Sequence, residues 1–166
     1  MTETTSRLAL PLIMAGQAQK EITHNEALAL IDLGVGAAAQ QAGLNTPPVA
    51  PAPGQCWIVG DAPTGSWTGQ ARALAGWTDA GWRFVPASAG LTVWLVDQQL
   101  WAVCDGSAWV VGDQRCARVL IGGQAVLGAR QPAVAAPTGG TVVDAEARAA
   151  ITALTARLVA HGLIAA

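Results

Sequence analysis

Residues 71–85 read ARALAGWTDAGWRFV, in which two apolar runs flank the four residues Thr78, Asp79, Ala80 and Gly81. Asp supplies local hydrogen bonds and Gly the backbone freedom that a tight reversal needs, so the stretch reads as a β-hairpin with Trp77 and Trp82 beside its turn. The same pattern extends outward in both directions. Short β-prone runs occupy 55–59, 71–77, 82–85, 92–96, 100–104, 109–111, 118–121 and 124–127, and turn residues such as Asp97 to Gln99, Asp105 to Ser107 and Gly122-Gly123 separate them. The segment from Trp77 to Trp82 (WTDAGW) loosely recurs from Trp101 to Trp109 (WAVCDGSAW). Short strands at this spacing predict antiparallel hairpins in a small sandwich or partly open barrel.

Two loose stretches bound this module: TPPVAPAPG at 46–54 and QPAVAAPTGG at 131–140. All seven tryptophans lie between them, and the flanks are rich in Ala, Leu and Gln. The fold class read from the sequence is therefore α+β, a central Trp-rich antiparallel β module flanked by an N-terminal and a C-terminal helix. The expected segments are 1–45, helical, for oligomerisation or attachment; 46–130, the β domain; and 131–166, linker and helix.

In the first flank, Thr23 to Glu26 has capping-box spacing, which predicts a helix starting there or slightly earlier. His24, Leu28, Ile31, Val35 and Ala38 then recur at steps of four and three, along one side of that helix, although Gly34 and Gly36 weaken it. The stripe packs either on the protein's own β module or on the same helix of a neighbouring copy. In the last flank Asp144 is placed to cap a helix whose Ala147, Ile151, Leu154 and Leu158 follow the same steps. Gly162 is placed to end it in a left-handed conformation, with Leu163 folding back towards Leu158.

Apolar residues make up 52% of the chain and charged residues 12%, about half of the roughly 25% usual in soluble domains. So little charge implies that part of the surface is covered, which predicts an obligate homo-oligomer with Leu28, Ile31, Val35, Ile151, Leu154 and Leu158 at its interface. The net charge of −2 and the lack of any Lys or Arg run argue against nucleic acid as a partner. The apolar runs are broken well short of the roughly 20 residues that span a bilayer, so no membrane partner is expected, and no secretory signal is evident. Synthesis and assembly in the cytoplasm follow as an expectation.

Chemistry-bearing patterns are few. Residues 34–39 (GVGAAA) formally fit a dinucleotide fingerprint ending in Ala, but the expected helix there lacks the preceding strand that such a site needs. Cys56, Cys104 and Cys116 contain no CxxC pair and read as buried free thiols; the two histidines, His24 and His161, lie near opposite ends of the chain. No nucleophile elbow, HExxH, Walker loop or carboxylate pair appears, so the expectation is no enzyme activity, no catalytic residue, no metal and no cofactor. Tryptophan is the conspicuous residue, with seven copies against one Phe and no Tyr. Exposed indole faces stack on sugar rings, and Trp67, Trp77, Trp82 and Trp109, close to turns, are the candidates for glycan contact. Trp57, Trp94 and Trp101, set among Val, Ile and Leu, read as core.

Several blocks together resemble one family. Leu10-Pro11-Leu12, residues 15–21 (AGQAQKE) and residues 23–28 (THNEAL) look like the opening of the DUF2793 proteins, and Pro47-Pro48, 54–60 (GQCWIVG), 64–70 (TGSWTGQ), Trp77, 81–84 (GWRF) and 105–109 (DGSAW) continue the likeness over roughly 8–111. The stretch from Gly139 to Ile164 is similar to the endings of related prophage proteins. No activity is assigned to that domain. It occurs in prophages and gene transfer agents of alphaproteobacteria, among fibre, spike and tail proteins, so the resemblance implies a virion component located in a phage-like particle. The expected function is a structural fibre, spike or adaptor, trimeric by preference or pentameric at a vertex, with other virion proteins as partners. The alternative is a carbohydrate-binding module for bacterial surface or capsular polysaccharide.

Overall fold

The computed structural model describes residues 20–166 together with Thr4, Thr5, Arg7, Leu10 and Leu12, the Glu21 side chain excepted. Most of the GQAQKE block lies outside the described residues. The chain forms two compact units, 1–113 and 114–166. The first holds helix α1 (Lys20–Gly34) and strands β1 (Ala38–Leu44), β2 (Cys56–Val59), β3 (Leu74–Thr78), β4 (Gly81–Val85), β5 (Thr92–Leu95), β6 (Leu100–Cys104) and β7 (Trp109–Val111), with a 3₁₀ turn at Gly65–Trp67. The second holds β8 (Val119–Ile121), β9 (Gln124–Leu127) and α2 (Ala145–Ala160). The class is α+β, with one helix on either side of the sheet in the sequence.

The seven strands of the first unit form one sheet in the order β4-β3-β2-β1-β5-β6-β7. It is mixed rather than purely antiparallel: β1 lies at its centre and pairs in parallel with both β2 and β5. Two antiparallel meanders, β2-β3-β4 and β5-β6-β7, thus hang from the two edges of β1. The Pro-rich stretch expected to bound a domain is instead part of the return from β1 to β2, since a parallel pair cannot be joined by a tight hairpin. Among the described residues the sheet is not closed into a barrel. The end strand β7 is nevertheless tied to the loop that leads into β3, where Trp109 Nε1 donates to the Arg72 carbonyl at 2.8 Å and the Arg72 guanidinium donates to the Ser107 carbonyl.

The expected N-terminal helix is present, starting slightly ahead of Thr23 as expected and ending earlier than the stripe suggested. It includes Lys20, so Thr23 and Glu26 lie inside it, and Glu26 pairs with Arg83 at 2.7 Å. It stops at Gly34, with Gly36 in the left-handed region at φ 58, so Ala38 belongs to β1 and not to a helical stripe. Arg7 fixes that ending. Its guanidinium donates to the carbonyls of Asp32, Leu33 (3.2 Å), Val35 (3.3 Å) and Gly36 (2.6 Å), where helix carbonyls have no internal partner and a cation is favoured. The buried Asp32 carboxylate answers by accepting from Thr5 Oγ1 (2.8 Å) and Arg7 N (3.0 Å).

Alternation then sorts the sheet into two faces. Ala39, Cys56, Ile58, Leu74, Val93, Leu95 and Ala102 turn to one face and form the main core with Leu33 of α1 and Ala37. The helix approaches this face closely because Gly76 has no side chain: a Cβ there would press into both Leu33 methyls and lie 3.1 Å from its Cγ. Cys56 is sealed in the same core, its thiol donating to the Ala38 carbonyl at 3.2 Å. Burial pushes that thiol from 9.0 up to about 11, against smaller opposing effects of Arg7 and the Ala38 hydrogen bond. Cys104 is buried too, whereas Cys116 is exposed, contrary to the expectation for that residue.

The second unit matches its sequence reading at the helix. Asp144 accepts from Ala147 N at 2.8 Å, Gly162 adopts φ 72, and Leu163 N donates back to the Leu158 carbonyl at 3.0 Å. Residues 163–165 pair with Gln131, through Gln131 N to the Leu163 carbonyl (3.0 Å) and Ala165 N to the Gln131 carbonyl (2.7 Å). Ile164, 7% exposed, is the one buried side chain of 114–166.

Two outcomes test this packing. Gly76→Ala lowers the unfolding free energy by about 1–3 kcal/mol in urea denaturation, as over-packing does, and costs clearly less in a Leu33→Ala background; equal costs in the two backgrounds would show that helix and strand do not meet there. For Cys56, both folded and unfolded chains carry the thiol below pH 9, but between 9.0 and about 11 only the unfolded chain ionises. Stability is therefore lost as pH rises through that window, and Cys56→Ala flattens the loss relative to the parent. Parallel pH profiles would contradict the burial argument.

Candidate functional site

The strand register decides which tryptophans meet. Trp57 lies opposite Ala75, Ala75 opposite Phe84, and Trp77 opposite Trp82, so all five share the face turned away from the main core. The connection from β2 to β3 folds Trp67 over that half of the face. Its ring packs edge-on against Trp82 (centroids 5.1 Å), and Trp82 packs in the same way against Trp57 (5.7 Å) and Trp77 (5.1 Å). Trp67 is thereby fully buried, its Nε1 without a hydrogen-bond partner, and Trp57 is only 6% exposed. The second meander carries an equivalent pair, Trp94 opposite Trp101, with centroids 5.1 Å apart and planes at 69°. Its β5 to β6 connection spans only 96–99 and brings no ring back over the face. Trp101 is consequently 42% exposed and Trp94 half-buried.

This reverses part of the sequence reading. Among the residues singled out for glycan contact, Trp67 is enclosed by its neighbours. Trp82 is half-buried in the indole cluster, and Trp77 is half-buried beside it. Trp109 turns to the other face, where it packs on the main core. Of those read as core, Trp57 is buried, but Trp94 and Trp101 form the open pair. A sequence signal for that pair existed: the two positions are symmetric about the 96–99 turn, which makes them direct cross-strand partners.

Beside the open pair, β1 has irregular register between Ala39 and Ala42, so Gln40 and Gln41 sit at a bulge. The bulge lies against β2, and these two amides, one half-buried and one exposed, directly follow Ala38 and Ala39, the residues of β1 that pair with Trp94 and Leu95. Thr92 lies opposite Val103 on the same face as the indoles. None of the strand residues on this face of β5, β6 and β7 is charged.

A separate cavity of about 270 Å³ lies between the N-terminal residues, α1 and the β3-β4 hairpin. Ala29, Leu33 and Gly76 contribute to its apolar wall, and Asn25 and the Glu26–Arg83 pair to its polar one. The Glu26–Arg83 pair on that wall holds α1 to β4. Among the described residues no group of three or more His, Cys, Asp or Glu is placed to hold a metal ion. No helix among them is long and apolar enough to cross a membrane.

The residues expected at an oligomer interface fall in two places. On α1, the side formed by Ala29 and Leu33 meets the sheet, leaving Ile31 (49% exposed) and Val35 (56%) outside, with Leu28 half-buried. On α2, Ile151, Leu154 and Leu158 are 44%, 61% and 41% exposed. The β8-β9 hairpin adds Val119, Leu120, Ile121, Val126 and Leu127, all exposed on a two-stranded element. The hairpin was not among the expected interface residues, although its two short apolar runs, 119–121 and 125–127, were visible.

No curated protein matches the chain. Residues 24–110 match the family described as "Protein of unknown function (DUF2793)". The matched region starts inside α1 and ends in β7, so it takes in β1 to β6, most of β7, both Trp clusters and the β1 bulge. With more than half of its length matched in this way, the chain belongs to the DUF2793 family.

Proposed function

We propose that the protein is a homo-oligomeric structural component of a phage-like particle, a short fibre, spike or adaptor whose copies associate through their helices and the β8-β9 hairpin. The observation that carries this reading is the near absence of a core in 114–166, where Ile164 alone is buried. A two-stranded hairpin by itself is marginal in water, and so is an isolated helix of this length. One buried Ile contributes roughly 1.5–3 kcal/mol, far less than the cost of ordering the unit at about 1–2 kcal/mol per residue. Burial of the α2 stripe and the hairpin against other copies supplies what the single chain lacks. Symmetric association also covers strand edges and apolar helix faces that would otherwise invite open-ended aggregation.

The particle setting rests on the family resemblance and on a surface poor in charge, and it carries with it other virion proteins as partners and location in the particle. A trimer is the preferred state, with a pentamer at a vertex as the alternative. No catalytic step is assigned to any residue.

Sedimentation velocity of the full chain at micromolar concentration tests the association. The expected result is a discrete oligomer, a multiple of the 16.9 kDa chain mass. Leu154→Glu and Ile151→Glu each shift its dissociation midpoint upward by about tenfold or more, since each places a charge where roughly 1.5–3 kcal/mol of burial was gained. A parent protein that sediments only as monomer refutes the reading.

A further inference from the structure

We infer that the open face around Trp94 and Trp101 is a binding platform for an uncharged polysaccharide, with Trp101 as its main stacking surface and Gln40 and Gln41 as its hydrogen-bonding border. The inference is independent of the assembly proposed above.

Three observations carry it. The first is the difference between the two halves of one sheet face. In the β2-β3-β4 half, Trp67 covers the indoles and completes a closed cluster, whereas in the β5-β6-β7 half the short turn at 96–99 leaves Trp101 42% exposed and Trp94 half-buried. Among the described residues of the first unit, no ring covers that half. The second is the chemistry of the border. Pyranose rings present C–H faces that stack on indole and hydroxyls that exchange hydrogen bonds with amides. Two glutamines at the β1 bulge follow directly on Ala38 and Ala39, the residues that pair with Trp94 and Leu95, and Thr92 adds a hydroxyl. The strand residues of this half-face carry no formal charge, and the nearest charge along the chain, the exposed Asp97 of the 96–99 turn, is negative, so an acidic sugar finds no complement there.

The third is size, which separates a sugar from a second copy of this chain. Two partly exposed indoles offer about 300 Å² at most, against roughly 800 Å² per partner in a stable protein interface. That area suits two or three sugar rings. Because the pair is an edge-to-face contact already formed between neighbouring strands, stacking requires no rearrangement of the face.

The test titrates the full chain with neutral hexasaccharides of glucan, mannan and galactan type and with an oligogalacturonate, following tryptophan fluorescence. Saturable binding to at least one neutral probe, with no binding of the oligogalacturonate, is expected. Trp101→Ala weakens it by about tenfold or more, and Gln40→Ala by a smaller factor, at unchanged melting temperature and oligomer mass. Trp94→Phe, which keeps an aromatic ring if Trp94→Ala fails to fold, gives an intermediate loss. Absence of saturable binding to every neutral probe, preference for the oligogalacturonate, or full affinity in Trp101→Ala would each overturn the inference. A fall in oligomer mass on Trp101→Ala would do the same, because it would assign the face to a second copy.

Discussion

Strand β1 is hydrogen-bonded on both edges by strands that run parallel to it, and the first unit follows from that constraint. A parallel neighbour cannot be reached by a tight turn, so the chain leaves β1 by a long Pro-rich return before building β2, and completes that meander before β5 takes the opposite edge. Both meanders therefore begin beside β1 and grow away from it. Small residues on β1 and just before it let the core close: Ala37 and Ala39 are fully buried beneath α1 and the flanking strands. The clamp of Arg7 and Asp32 serves the same junction, because it fixes where α1 ends and hence where β1 begins.

From this plan comes a sheet that is pseudo-symmetric in strands but not in connections. The β2 to β3 connection is long enough to return over the sheet and deliver Trp67, while the β5 to β6 turn is not. One half of the aromatic face thus becomes a second core and the other stays a surface, although both halves have tryptophans in cross-strand positions. Loop length, more than the tryptophans themselves, sets which indoles are accessible.

The turn chemistry made most of the fold legible. Strands β2 to β9 fall where Gly and Asp punctuation marks them off, because a turn is specified by a few local residues and a strand between two turns has little freedom to move. The C-terminal helix was legible for the same reason, with Asp144 and Gly162 as local start and stop signals. Strand β1 was not. Its Ala and Gln residues favour a helix, and the helical stripe continues through Ala38 in sequence; only the two flanking strands, distant along the chain, make the extended form the better one. The exposure of individual tryptophans failed for a related reason. Proximity to a turn says where a side chain lies along a strand, but burial depends on what another segment lays over it, as Trp67 and Trp101 show in opposite directions.

The uncovered surfaces of the two units also differ in kind, and that difference favours separate roles. The second unit exposes aliphatic side chains, Ile, Leu and Val, which gain most from complete removal of water and have no directional chemistry to offer a polar ligand. The first exposes aliphatic side chains too, Ile31 and Val35 among them, but its sheet face also exposes indoles near amides and a hydroxyl, a surface that keeps its polar partners satisfied only if hydrogen-bonding groups arrive with the apolar ones. Burying Gln40 and Gln41 against an aliphatic surface would cost their hydration with nothing in return, whereas aliphatic ridges meeting one another carry no such penalty. In the assembly proposed above, the aliphatic side chains of α1, α2 and the β8-β9 hairpin are therefore the ones that associate, and the cost of covering the amides with a protein copy is what favours a ligand rich in hydroxyls on the aromatic half-face.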